Sequence, residues 1–198
     1  SVGNYALFAG GLGSNASNTV DAYNTSLTRS TPTALSAARY NLAGASVGAY
    51  ALFAGGDAGS SGRSNTVDAY NTSLTRSTPT ALSAARSHLA GASVGAYALF
   101  AGGYGISDVV DAYNTSLTRS TPTALSVGRY RLAGASVGNY ALFAGGLGSN
   151  ASNVVDAYNT SLTRFTPTSL SADRYNLAGA SVGDYALFAG GYDGAAVV

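Results

Sequence analysis

Ser46-Val47-Gly48-Ala49-Tyr50-Ala51-Leu52-Phe53-Ala54-Gly55-Gly56 decides the fold of this 198-residue chain. Glycine at the first of two central turn positions is the type II′ hairpin signature, so Gly48-Ala49 joins a short small-residue strand, Asn41 to Val47, to an apolar one, Tyr50 to Ala54. The Ser-Val-Gly opening recurs at Ser1, Ser46, Ser93, Ser136 and Ser181, each time followed by Tyr-Ala-Leu-Phe-Ala-Gly-Gly. The starts lie 45, 47, 43 and 45 residues apart, a period that means a propeller, a solenoid or an array of supersecondary units. Residues 1–198 therefore read as one repeat domain whose fifth unit is partial.

Downstream of the Gly-Gly, Thr66 to Tyr70 is β-branched and aromatic and reads as a third strand. Asn71-Thr72-Ser73 makes a turn, and Leu74 to Thr78 is expected to be a fourth strand that Pro79 ends. Four antiparallel strands, repeated, make a propeller blade. Glycine and alanine in the first strand suit inner strands that crowd a central channel. From the aspartates Asp21, Asp68, Asp111 and Asp156 to the next repeat serine the distance is always 25 residues. All length variation falls between Gly-Gly and aspartate, which marks a surface loop.

With 46% apolar residues, the chain can bury a core and is no disordered polymer. Only 10% is charged, every charge is Arg or Asp, and the net charge of +1 gives no electrostatic case for nucleic acid or an anionic membrane. The absence of cysteine removes disulfides and thiolate metal sites. No apolar run is long enough for a membrane-spanning helix. A chain that starts and stops in mid-repeat without an initiator Met is expected to be a segment of something longer.

The order Arg39, small apolar strand, Gly55-Gly56, Val67-Asp68-Ala69-Tyr70 and Thr78-Pro79 resembles the kelch repeat over the whole chain. A kelch blade normally carries Trp before the Thr-Pro; here that place holds Ser30, Ser77, Ser120 and Phe165. The resemblance implies an all-β, kelch-like β-propeller of four-stranded antiparallel blades, about five in this chain, and a fold that mostly serves binding or scaffolding. The first unit owns only the end of its first strand, while the fifth has two strands and the Ala195–Val198 start of a third, so an incomplete ring is one expected outcome. Open blade edges would then favour self-association.

Strand parity places the loop from strand two to three and the connection between blades on the same face. Length varies in the first, and sequence varies in the second. The expected ligand face is lined by Asp57, Arg63, Tyr104 and Asp108 from the loops and by Tyr40, His88, Arg131 and Tyr175 from the connections, with Leu12, Asn15, Leu147 and Asn150 beside them. For any single loop residue the plainer alternative is drift. The once-per-blade charges, Asp21, Asp68, Asp111 and Asp156 with Arg39, Arg86, Arg129 and Arg174, could ring an anion or a sugar, but their regularity favours ion pairs within or between blades.

Enzymatic readings lack parts. Copper oxidases of kelch type use a Cys-Tyr crosslink and histidine ligands, and sialidase-like propellers use a Glu; this chain has no Cys, no Glu and only His88. The Gly-Gly segments lack nucleotide-binding spacing. No catalytic residue, metal site or cofactor is therefore expected. Six Asn-x-Ser/Thr sequons, at Asn15, Asn24, Asn71, Asn114, Asn150 and Asn159, reflect turn chemistry first. The function expected is a non-enzymatic module that binds a surface glycan or protein, with a self-associating structural repeat as the alternative and a propeller isomerase or hydrolase behind both. An extracellular, cell-surface or phage-appendage setting suits the Ser/Thr/Gly/Asn-rich, cysteine-free composition.

Overall fold

The computed structural model describes residues 1–193 as five antiparallel sheets in a propeller-like arrangement, and no ring closes among them. The first sheet holds β1 (Ala6–Ala9), β2 (Val20–Tyr23) and β3 (Arg29–Ser30). Three four-stranded sheets follow: β4 (Ala43–Val47), β5 (Tyr50–Ala54), β6 (Val67–Asn71) and β7 (Arg76–Ser77); β8 (Ala90–Val94), β9 (Tyr97–Ala101), β10 (Val110–Asn114) and β11 (Arg119–Ser120); β12 (Ala133–Val137), β13 (Tyr140–Ala144), β14 (Val155–Asn159) and β15 (Arg164–Phe165). The last holds β16 (Ala178–Val182) and β17 (Tyr185–Ala189). Of the missing first strand only the Val2–Tyr5 bridge is present. The expected third strand of the fifth unit, at Ala195–Val198, lies outside the described residues.

Register follows the hairpin. Val47 pairs with Tyr50 and Ala43 with Ala54 across a turn in which Gly48 has φ +51°. The fourth strand is shorter than its sequence suggests. Leu74 sits at φ +60° and belongs to the turn, where its N–H bonds the Asn71 carbonyl while the Asn71 Oδ1 accepts from the N–H groups of Ser73 and Thr75. An Asn side chain that mimics backbone in this way holds the chain out of the ladder until Arg76.

The core lies between sheets. Successive residues of a strand point to opposite faces, so Leu52 and Ala69 pack with Ala98, Phe100 and Tyr113 of the following sheet, while Phe53 and Tyr70 pack with Val20 of the preceding one. Phe53, Phe100 and Phe143 each meet the tyrosine of the neighbouring strand edge-on, with ring centroids 6.0 Å apart. The outer sheets show the rule by exception: Phe8 on β1 is 64% exposed and Leu187 on β17 is 49% exposed, where no further described sheet covers them.

Inner strands stack directly, β4 on β8, β8 on β12 and β12 on β16. A Cβ on Gly91 would lie 2.4 Å from the Gly44 carbonyl oxygen, and one on Gly134 or Gly179 would lie 2.3 Å from that of the preceding glycine. One serine per blade links these strands. The Ser93 hydroxyl donates to the Ser46 carbonyl at 2.7 Å and accepts from the Ser46 N–H at 3.1 Å. The Ser46 hydroxyl bridges Ser1 in the same way, and the hydroxyls of Ser136 and Ser181 accept the N–H of Ser93 and Ser136. This ladder lines a central cavity of about 360 Å³.

Candidate functional site

Two sets of polar side chains need separating, those that repeat and those that do not. The repeated charges build the frame. Asp68 on β6 is fully buried between Arg39 and Arg76, the latter at 3.2 Å, and also accepts from the Ser36 N–H and hydroxyl at 3.1 Å. Asp111 does the same with Arg86, Arg119 and Ser83, and Asp156 takes Arg129 and Arg164 at 3.0 Å each. Burial pushes the guanidiniums of Arg39, Arg86 and Arg129 below their ordinary range, and the aspartates oppose it. The same linker is pinned again by Tyr70, whose hydroxyl donates to the Thr33 carbonyl at 2.7 Å; burial, then Asp68, pushes that phenol up to about 12. These charges are ion pairs internal to the blades rather than a ring of ligand contacts. Arg174 in the fifth unit bonds the Gly190 carbonyl instead.

The non-repeated side chains converge elsewhere. Asn41, His88, Arg131 and Asn176 follow one another across four blades, each at a φ of 54 to 56°. Their backbones bond in series, the His88 N–H to the Asn41 carbonyl, Arg131 to His88 and Asn176 to Arg131, at 2.8 to 2.9 Å. Together with the invariant Leu42, Leu89, Leu132 and Leu177 they line a mouth of about 300 Å³. Asn and His are the side chains more often found in the left-handed region; Arg131 adopts it at a cost, and an inter-blade hydrogen bond holds it there.

Beside this row lies a second recess of about 340 Å³, lined by Tyr40, Asp57, Arg63, His88 and Tyr104 among others. Backbone pairing of Tyr40 with Asp57, in both directions, seats the loop, and Asp57 in turn bridges to Arg63. The Asp57 carboxylate accepts from the Asn41 amide at 3.2 Å and lies 3.9 Å from the His88 Nδ1. Burial and the Arg131 charge push the His88 imidazole down against the pull of Asp57, which favours its neutral form. The His88 ring centroid is 6.2 Å from Tyr104 and 6.3 Å from Tyr130, and those two tyrosines meet edge-on at 5.3 Å. Arg63 lies over Tyr104 at 5.3 Å, and Arg131 over Tyr130 at 5.5 Å.

Of the eight residues that sequence singled out, Tyr40, Asp57, Arg63, His88 and Tyr104 share one recess and Arg131 adjoins it through His88. Tyr175 lines a different recess with Leu147, Asn150 and Asp173 and packs on Tyr192 at 5.4 Å. Asp108 is exposed, and its carbonyl accepts from Leu125 of the following linker. Tyr130, Asn41 and Asn176 were not among the eight. Tyr130 aligns with Tyr40 and Tyr175 in the repeat, which is the signal that could have found it. No group of three or more His, Cys, Asp or Glu side chains able to hold a metal occurs among the described residues, and no helix of the described residues is long and apolar enough to cross a membrane.

No protein-family model matches the chain, and neither does any curated protein sequence.

Proposed function

We propose that this chain is a kelch-type, non-enzymatic binding module that takes a surface ligand, a glycan or a protein, on the face formed by the strand two-to-three loops and the inter-blade connections. One observation carries the reading. In blades that otherwise repeat almost verbatim, the departures Asp57, Arg63, His88, Tyr104 and Arg131 gather around two adjoining recesses on a rigid scaffold. The test replaces the Asp57–Arg63 loop with Tyr104–Asp108 of the third repeat and screens both proteins against glycan and protein arrays. Binding lost with the native mass unchanged supports the reading; unchanged binding and unchanged mass refute it.

A second reading, self-association, is favoured by the exposed apolar side chains of the outer sheets, Phe8, Val182, Tyr185 and Leu187. Native mass across a concentration series decides it: growth of the assembly supports this reading, and a concentration-independent monomer excludes it.

A further inference from the structure

The chain has ten arginines, and seven of them, Arg29, Arg39, Arg76, Arg86, Arg119, Arg129 and Arg164, lie within 4 Å of an aspartate carboxylate. Arg174 occupies a repeat position. The remaining two, Arg63 and Arg131, are the arginines the repeat does not supply, and neither meets a carboxylate among the described residues. Both are instead laid on tyrosine rings, and those two rings touch. The result is a continuous Arg63–Tyr104–Tyr130–Arg131 strip with two cations and an exposed ring face, in a protein whose other charges are mostly neutralised locally.

We propose that this strip binds an anionic saccharide, a guanidinium taking a carboxylate and the exposed part of the Tyr104 ring taking the sugar ring. This rests on the binding-module reading above and names its ligand class. Three features select a sugar acid over an acidic peptide. The recesses are compact, about 300 and 340 Å³, the size for one or two sugar rings rather than an extended strand. Tyr104 is 52% exposed and offers a flat platform for the C–H face of a pyranose. The mouth is flanked by the amides of Asn41 and Asn176, groups able to donate to and accept from hydroxyls; one Asn41 N–H is taken by Asp57, whose second carboxylate oxygen is a further acceptor on the His88 side. Arg63 is steadied by an Nη1–H bond to the Tyr104 carbonyl at 3.2 Å, and the rest of its guanidinium fork, like that of Arg131, is the donor set that a carboxylate takes in pairs.

The experiment titrates the protein by calorimetry with trigalacturonate and sialyllactose, against trigalacturonate methyl ester, lactose and a hexaglutamate peptide. The variants are Arg63→Gln with Arg131→Gln, and Tyr104→Leu, with thermal unfolding as the check on folding. Saturable binding of at least one acidic sugar, weakened tenfold or more by neutralising the ligand and by the double Arg variant, is expected. Tyr104→Leu should weaken the acidic sugar while leaving the salt dependence in place. Equal binding of acid and neutral sugars overturns the inference, as does tighter binding of hexaglutamate. A neutral ligand lost on the loop replacement but indifferent to both arginines overturns the inference and leaves the binding-module reading standing. No binding by any probe, with the loop replacement also silent on the arrays, overturns both.

Discussion

Substituting the same residue at equivalent positions of two blades turns the repeat into its own control. Asp111→Asn removes a charge that has no solvent exposure and that faces Arg86, itself 2% exposed, together with Arg119 at 2.9 Å. Asparagine fills the same space and still accepts one hydrogen bond, so the loss is electrostatic: two guanidiniums remain, one of them out of water with no counter-charge. Breaking a buried pair by removing one partner costs about 3–5 kcal/mol. For a chain of this size each kcal/mol moves Tm by about 2–4 °C, giving a fall of roughly 6–20 °C. Asp21 occupies the same place in the first sheet but is 32% exposed and, among the described residues, pairs with Arg29 alone, itself 60% exposed, at 3.3 Å. Asp21→Asn should therefore cost no more than about 1 kcal/mol. Calorimetric unfolding at pH 7 measures both variants, with hydrogen exchange at the Ala112 and Tyr113 amides for the first and at the Ala22 and Tyr23 amides for the second. Equal shifts for the two would refute the argument that the buried triad, rather than the aspartate itself, holds the linker.

Gly91→Ala places a methyl group 2.4 Å from the Gly44 carbonyl oxygen, backbone that no rotamer change can clear, and should lower stability by about 1–3 kcal/mol in denaturant titrations; a neutral result would mean the inner strands are not in contact. Ser93→Ala frees the Ser46 N–H and carbonyl, at a cost of about 1 kcal/mol, and should speed exchange of the Ser46 amide; unchanged exchange would refute the serine bridge. The phenols of Tyr70, Tyr113 and Tyr158 are all raised by burial, Tyr70 to about 12. The folded state keeps these protons where an unfolded tyrosine loses them near 10, so their contribution is intact below pH 10 and declines as pH rises toward 12. Absorbance at 295 nm should show Tyr70, Tyr113 and Tyr158 ionising together with unfolding; their ionisation while the protein is still folded would refute that burial.

Period and hairpin chemistry made the sheets readable. Tyr50–Ala54 forms the strand expected, and Gly48 has the positive φ its turn demands. Leu74 departs from the strand its sequence suggests because the Asn71 side chain, which captures two backbone N–H groups, acts over four residues and leaves no hydrophobic pattern. Regularity correctly assigned Asp68 and Arg39 to structure, since a contact that every blade needs must be written in every blade. The candidate face was legible only as variation. Nothing in the letters shows that Arg131 stacks on Tyr130, or that His88 shares a left-handed backbone with Asn41, because inter-blade hydrogen bonds impose that conformation on whatever residue stands there. The serine ladder is hidden for the opposite reason: Ser-Val-Gly is constant, and constancy marks the repeat without saying which backbone the hydroxyl bonds.

That ladder has a direction. Each serine bridge grips the backbone of the blade before it and offers its own backbone to the blade after, so the two sides of a blade are different and complementary. Such a head-to-tail contact has no twofold axis, and repeated without change it generates a ring when the rotations sum to a full turn and a helix when they do not. The number of units that such a contact closes is therefore a property of the angle between neighbouring sheets, to which the serine bridge, the close approach of the glycines and the side chains packed between sheets all contribute. Changes at Ser46 or Gly91 and at their equivalents therefore act on the seam between blades and not on the hydrogen bonds within one.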